Sequence, residues 1–193
     1  MQSTIIQDFL NDCQSCCDQG LPASEIVLAL APRMEALLAH ADEFLRDEHK
    51  QPDPNGYARH PVFICPEGGM SLFTMVWSPG QWTPIHDHGT WGVVGVLEGM
   101  LEERAFVRVD EAQGESGIEL IRAGVVLLSQ GSICTFTPSP EHIHRTGCDE
   151  SRPTTLTLHL YGRVMTNFHV YDFDKGTREL IDVASSGSDL EGV

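Results

Sequence analysis

The hydrophobic pattern of the chain changes at about residue 50. From Ser3 to about His49 apolar residues recur at helical spacing in two stretches, the second running from Ile26 to Leu38. Pro32 predicts that this second stretch is kinked or divided, because proline cannot donate the helical hydrogen bond. The breaker QPDPNG, residues 51–56, predicts the end of the helical part.

Beyond Gly56 the pattern is that of short strands separated by Gly and Pro clusters. Such a series of strands predicts a mainly β fold, an antiparallel β-barrel or jelly roll, with α-helices at its N-terminus. Eight runs are predicted as strands: Pro61–Cys65, Ser71–Trp77, Gly92–Leu97, Leu101–Val109, Val125–Leu128, Ile133–Phe136, Thr154–Tyr161 and Phe168–Tyr171.

The length predicts one domain. A chain of 193 residues is long enough to bury a hydrophobic core without disulfide bonds or other cross-links. We therefore expect a single domain over residues 1–193, with helices in residues 1–50 packed on it and a loose tail at residues 185–193.

Charge and hydropathy narrow the class of protein. Lys and Arg number 12 against 28 Asp and Glu, and the formal charge of -16 argues against nucleic acid and anionic lipid surfaces as partners. No apolar run reaches the length of a membrane span. The first 20 residues have no readable targeting signal, so we expect a cytoplasmic protein, a monomer or a weak homo-oligomer.

The six cysteines are expected to be reduced thiols in that compartment. Cys13, Cys16 and Cys17 resemble half of a zinc site, but no second pair stands at a suitable spacing. We interpret them as small residues on a helix.

Histidines supply the candidate chemistry. His86 and His88 are two residues apart in PIHDHG, so on a strand both imidazoles face the same side while Asp87 points away. The alternative is a pair of surface histidines in a polar loop. His142 and His144 offer a third imidazole, and either suits iron, zinc, nickel or manganese. One is expected to be a metal ligand and the other a pocket wall.

A second constellation lies on the run TLTLHLY. Strict alternation places Thr157, His159 and Tyr161 on one face and three leucines on the other. Without the other histidines this would be a strand with a polar outer face. Beside a metal site, it predicts a hydrogen-bonded acid/base relay.

Two longer runs resemble the cupin superfamily. GQWTPIHDHGTWGVVGVLEG is similar to its first motif and GSICTFTPSPEHIHR to its second. Most cupins have a Glu ligand a few residues after the HxH pair, where this chain has Gly92 and Val93. A site of three neutral histidines resembles that of the cysteine dioxygenase-like thiol dioxygenases.

The resemblance to that family extends over about Gly56 to Tyr171. The Thr-His-Tyr row follows His144 by 13, 15 and 17 residues, as the family's Ser-His-Tyr row does, which selects His144 over His142 as third ligand. Tyr57-Ala-Arg59, 27 residues ahead of His86, resembles a Tyr-x-Arg element whose Arg binds the substrate carboxylate.

Two positions depart from the family pattern. Thr157 replaces the usual Ser, which keeps the hydroxyl and adds a methyl group. Where animal members have a Cys that crosslinks to the Tyr, this chain has Gly92, so we expect Tyr161 to be an unmodified phenol.

The resemblance implies an Fe(II) enzyme that adds O₂ to the sulfur of a small thiol carboxylate to give the sulfinate. L-cysteine is the first candidate substrate. His86, His88 and His144 would hold iron, and Tyr161, oriented by His159 and Thr157, would act on the reacting oxygen or the substrate. Arg59, Tyr57 and His142 would contact the substrate.

Other substrates and functions are also considered. Relatives acting on 3-mercaptopropionate tend to have Gln in place of Arg59, and mercaptosuccinate would need a second cation such as Arg163, which we interpret as a surface residue. A different cupin enzyme and a non-catalytic small-molecule sensor are the alternatives of other classes.

Overall fold

The computed structural model of the chain describes residues 4–66, 69–138 and 142–182. Two helices come first, α1 at Thr4–Asp18 and α2 at Ala23–Leu38, followed by short 3-10 turns at Ala41–Glu43 and Asp47–Lys50. Helix α2 continues through Pro32, so the helix is not divided there as the sequence allowed. Leu28, whose carbonyl loses its helical partner at Pro32, belongs to the solvent-facing side of the helix, where water can satisfy it.

Eleven strands follow, in two antiparallel sheets. The five-stranded sheet has the order β1-β2-β9-β4-β7 and the six-stranded sheet the order β11-β10-β3-β8-β5-β6. The strands are β1 Ala58–Ile64, β2 Ser71–Trp77, β3 Ile85–His86, β4 Gly92–Glu98, β5 Met100–Arg108, β6 Leu120–Ser129, β7 Ile133–Phe136, β8 Ile143–Gly147, β9 Thr155–Tyr161, β10 Asn167–Asp172 and β11 Thr177–Asp182.

The mainly β, jelly-roll prediction with N-terminal helices is confirmed, with two facing sheets in place of one closed barrel. Strands β3, β8 and β11 were missed. Strand β3 has only two residues, and β11 is TRELID, with charged residues at half of its positions. The start of β6 is a further difference, because the strand extends five residues ahead of the predicted Val125.

The five-stranded sheet is the middle layer of the molecule. Even-numbered β2 residues such as Leu72 and Val76 pack with Leu30 and Met34 of α2, while Trp77 and the other odd-numbered β2 residues face the second sheet. All seven residues of β2 and all seven of β9 are therefore buried. The space between the two sheets holds the second core cluster and the candidate site.

None of the described helices is long and apolar enough to span a membrane. The predicted loose tail, residues 185–193, lies outside the described residues.

Candidate metal centre and substrate cavity

Three histidines meet between the sheets. His86 on β3 lies directly across from His144 on β8, and His88 follows β3. The Nε2 atoms of His86 and His88 are 3.2 Å apart, and one ligand nitrogen from each of the three rings lies within 4.8 Å of the other two. All three side chains are buried. The structure thus brings together the three residues that the sequence proposed as metal ligands.

Hydrogen bonds orient two of these rings. His86 Nδ1 lies 3.1 Å from the carbonyl oxygen of Pro84, and His144 Nδ1 lies 3.0 Å from Glu103 Oε2. Each Nδ1 therefore donates a proton to an acceptor, which leaves the Nε2 lone pair directed at the common centre. His144 Nε2 is buried and has no hydrogen-bond partner among the described residues.

The donor set fits one transition-metal ion. Two imidazole nitrogens about 2.1 Å from one ion are about 3.2 Å apart at an angle of roughly 100°. That separation is found between the Nε2 atoms of His86 and His88. Burial lowers the pKa of His86 and of His88 well below the usual range, and it also lowers that of His144. The rings are neutral, as metal ligands must be.

Glu103 on β5 is a site residue that the sequence argument missed. It is buried and accepts the His144 hydrogen bond, and its other carboxylate oxygen lies 3.6 Å from His142 Nε2. Burial alone would raise the pKa of Glu103, but the adjacent imidazoles of His142 and His144, the latter through its hydrogen bond, hold it below the usual range. The available signal was the pair Glu102-Glu103 inside a strand, where alternation must turn one carboxylate inward.

His142 is placed behind the ligand cluster. Its ring stacks on Phe136 at 4.5 Å between centroids and 7° between planes. It is absent from the part of the cavity wall that the described residues form, so its substrate-binding role stays a prediction. Asp87 points away from the centre, as expected, and accepts a 2.8 Å hydrogen bond from the Tyr171 hydroxyl.

The Thr-His-Tyr row forms a continuous chain of hydrogen bonds. Thr157 Oγ1 lies 2.8 Å from His159 Nε2, and His159 Nδ1 lies 3.2 Å from the Tyr161 hydroxyl. A fourth member, missed in the sequence, is Trp77, whose indole Nε1–H donates to Thr157 Oγ1 at 2.9 Å. All four residues of this hydrogen-bonded row are buried.

The hydrogen-bond chain that begins at Trp77 can be assigned a direction of proton donation. An indole N–H only donates, so Thr157 Oγ1 accepts from Trp77. The Thr157 proton has two acceptors in reach, His159 Nε2 at 2.8 Å and the Met75 carbonyl at 3.4 Å, and we assign it to the nearer one, His159. We therefore assign the His159 proton to Nδ1, from which it is donated to the Tyr161 oxygen. Burial lowers the pKa of His159 to about 3 and raises that of Tyr161 above its usual range. A neutral phenol is left with its O–H free to donate into the cavity.

A narrow cavity opens beside the histidines. Arg59 is the single charged side chain on the wall that the described residues form. The complete lining is Tyr57, Arg59, Met75, Trp77, Thr83, His86, His88, Val94, Phe136, His144, Thr146, His159, Tyr161, Met165 and Phe168. The two predicted residues of the Tyr-x-Arg element therefore face the same space as the ligand cluster.

The surroundings of Arg59 leave most of its donors available. The guanidinium lies over the Phe73 ring, 3.7 Å from the centroid, and donates one hydrogen bond, to the Met165 carbonyl at 3.1 Å. No carboxylate among the described residues pairs with it. Burial lowers the pKa of Arg59, yet an arginine stays charged. A partly buried cation without an anion is suited to bind one from a ligand.

Arg163 does not reach the described cavity wall. Its guanidinium donates to the His88 carbonyl at 3.1 Å and to Asn167, and the side chain is half-buried rather than on the surface as we interpreted it. Arg163 thus holds the loop that carries His88.

The absence of a side chain at Gly92 is also explained by packing. Gly92 lies opposite Tyr161 across β4 and β9, and a Cβ at position 92 would overlap the ring of Phe136. The space a crosslinking cysteine would need is filled by Phe136.

The fold is that of a cupin-type protein, and the site is a buried group of three histidines that could hold a metal ion. The family model of cysteine dioxygenase type I matches residues 24–174. This is more than half of the 193 residues, and the chain belongs to that family.

Solved structures give more distant similarities. A double-stranded β-helix protein from Klebsiella pneumoniae is 16% identical, with 65% of this chain and 93% of that chain covered and a TM-score of 0.48. A cupin-like protein from Thermotoga maritima is 14% identical, with 68% and 84% covered and a TM-score of 0.42. A protein with a cupin-like fold from Ralstonia eutropha is 16% identical, with 66% and 65% covered and a TM-score of 0.44.

Proposed function

We propose that the protein is an Fe(II)-dependent thiol dioxygenase that converts a small thiol carboxylate and O₂ to the sulfinate, with L-cysteine as the first candidate. Both atoms of O₂ end on sulfur, so RSH and O₂ give RSO₂H and no further reductant is needed. The observation that carries the proposal is one cavity lined both by three neutral imidazoles and by Arg59, a cation that no carboxylate of the described residues pairs with.

The donor set favours this chemistry. Three neutral nitrogens and no carboxylate leave a divalent ion its full charge, so that a bound Fe(II) would attract a thiolate and lower the thiol pKa. His86, His88 and His144 would hold the ion, and Glu103 would keep His144 in the tautomer that presents Nε2.

Arg59 orients the substrate. A carboxylate accepts two parallel hydrogen bonds from a guanidinium, and the apolar wall around Arg59 strengthens this interaction by excluding water. With the carboxylate fixed there, the thiol of a short substrate is directed toward the histidines. The Met165 carbonyl and the Phe73 ring hold the Arg59 guanidinium in this position.

Tyr161 supplies a hydrogen-bond donor at the reacting end. Because His159 donates to its oxygen, the phenol proton is directed at the substrate or the reacting oxygen. The raised pKa of Tyr161 keeps this proton in place at neutral pH. The residue therefore acts as a donor and not as a base.

The cavity wall separates the substrate candidates. Mercaptosuccinate has two carboxylates, but Arg59 is the single cation on the described wall and Arg163 is engaged elsewhere. No Asp or Glu on that wall is placed to pair with the ammonium group of cysteine. This second observation keeps 3-mercaptopropionate, which has no ammonium group, as the second candidate.

The test is a substrate panel with the iron-loaded protein. Cysteine, 3-mercaptopropionate and mercaptosuccinate are compared by O₂ uptake and by sulfinate measured with mass spectrometry. We expect one O₂ consumed per sulfinate, fastest for cysteine, and no turnover with zinc in place of iron. Thiol binding without O₂ uptake under these conditions would favour the sensor and contradict the proposal.

A further inference from the structure

Exposed aliphatic side chains are concentrated on one hairpin. Of nine large hydrophobic residues exposed in the described part of the chain, six lie on β5, on β6 or next to them: Val107, Val109, Ile121, Val125, Val126 and Leu127. Residues 121–127 of β6 are all exposed in sequence, so neither face of this stretch is covered. A single half-buried strand would expose only alternate residues.

Strand β6 is also an open edge. It ends the six-stranded sheet and pairs with β5 alone among the described strands. It is ten residues long and contains no proline and no acidic residue. Proteins usually protect such edges with charges, prolines, bulges or short length, because a free row of N–H and C=O groups pairs readily with another strand. On β6 these devices are limited to one bulge, near Ala123, and one charged residue, Arg122.

The charges on the chain bear on whether the partner of β6 is a second copy of the same chain. Two copies of a chain with net charge -16 repel each other over most of their surfaces. Arg122 is the one charged residue between Leu120 and Ser129, so two copies can meet along this strip without bringing acidic side chains together. Antiparallel pairing centred between Gly124 and Val125 would place Arg122 opposite Leu127 of the partner subunit, so that the two arginines are not opposed.

We propose that β6 pairs antiparallel with β6 of a second copy of this chain, in a two-fold symmetric dimer that joins the two six-stranded sheets. Such an interface uses the same surface on both subunits and closes on itself. Pairing would satisfy the free backbone groups, and the exposed valines and leucine would be covered on both faces. The proposal is independent of the reaction, because β6 contributes no residue to the described cavity wall.

Sedimentation velocity on the full, metal-loaded chain tests the proposal. We expect a species of twice 21.3 kDa whose share grows between about 5 and about 200 µM protein. Amide hydrogen exchange provides a measurement without any variant. The amides of residues 121–127 should exchange at least roughly tenfold more slowly at the higher concentration.

Matched variants locate the interface. The double variant Val125→Lys, Leu127→Lys should raise the dimer dissociation constant by at least roughly tenfold, because lysines on an edge oppose pairing. Leu180→Lys, on the opposite edge strand β11, and Leu28→Lys, on α2, remove equally exposed residues and should leave the dimer unchanged. Melting temperature and metal content serve as checks of folding.

Three results would overturn the proposal. The first is a monomer at the highest concentration, and the second is a dimer that Leu180→Lys or Leu28→Lys disrupts while the β6 variant does not. The third is slow amide exchange in β6 that does not depend on protein concentration and that is lost when the chain is shortened to end at Asp182. That result would mean that residues 183–193, and not a second copy, cover the strand.

Discussion

The ring of Phe136 occupies the space next to Gly92 that any side chain at this position would need. Gly92→Cys should therefore destabilise the fold by roughly 1 to 3 kcal/mol through overpacking. It should also form no thioether with Tyr161. Gly92→Cys should cost less in a Phe136→Ala background, because the ring that it overlaps is then absent. Chemical denaturation and intact mass provide the measurements, and an unchanged midpoint for Gly92→Cys would contradict the packing argument.

The two C-terminal histidines should differ in their effect on metal binding. His144→Ala removes a nitrogen directed at the common centre and should abolish tight iron binding. His142→Ala should leave most of it, because that ring stacks on Phe136 behind the cluster. Iron content after dialysis against a weak chelator measures both, and the opposite order would show that the ligand assignment is wrong.

Glu103→Gln should weaken metal binding by roughly 10- to 100-fold, the range typical when a ligand histidine loses its carboxylate partner. The amide preserves the size of the side chain, so the fold should remain. Glu102→Gln on the same strand is the matched control, because Glu102 pairs with Arg104 and Arg152 rather than with a histidine. Competition with a chromophoric chelator gives the affinities. Equal losses in both variants would assign Glu103 a purely structural role.

Tyr161→Phe should keep iron and lose most activity, since it removes the donated proton and leaves the ligands untouched. Trp77→Phe should lower kcat less, roughly 3- to 30-fold, with little change in KM, because it removes only the donor that sets the direction of the chain. Long-range ¹H–¹⁵N spectra of the metal-free protein should show the His159 proton on Nδ1 in the wild type. A proton on Nε2 would contradict the assigned direction.

Arg59→Ala should lower kcat/KM for cysteine by roughly one to three orders of magnitude, about 1.5 to 4 kcal/mol, with iron content unchanged. Arg59→Gln should shift the preference toward 3-mercaptopropionate, since an amide brings no charge to the carboxylate. Thiols without a carboxylate are the control substrates. Equal losses for them would mean that Arg59 supports the fold and not the substrate.

Alternation and short spacing made much of this site predictable. A two-residue period fixes the face of a strand residue, so the HxH pair and the Thr-His-Tyr row could be assigned to common faces from the amino-acid sequence. The resemblance supplied Arg59 and the choice of His144. Alternation indicates that one of Glu102 and Glu103 points inward, but the partners of Trp77 and Glu103 could not be found in this way, because their contacts cross between strands 80 and 41 residues apart in sequence. Strand β3 was missed because two residues are too few to show a period.

Strand β9 has no solvent-facing side. Its leucines support the helices and its polar row faces the histidines, so a shift of the strand by one residue would put hydroxyls and an imidazole against α2 and leucines into the cavity. The strand is thereby held in register from both sides. It also follows that the N-terminal helices are not a removable attachment. A shortened chain beginning at β1 would expose Leu156, Leu158 and Leu160 to water and lose one of the two surfaces that keep the Thr-His-Tyr row aligned.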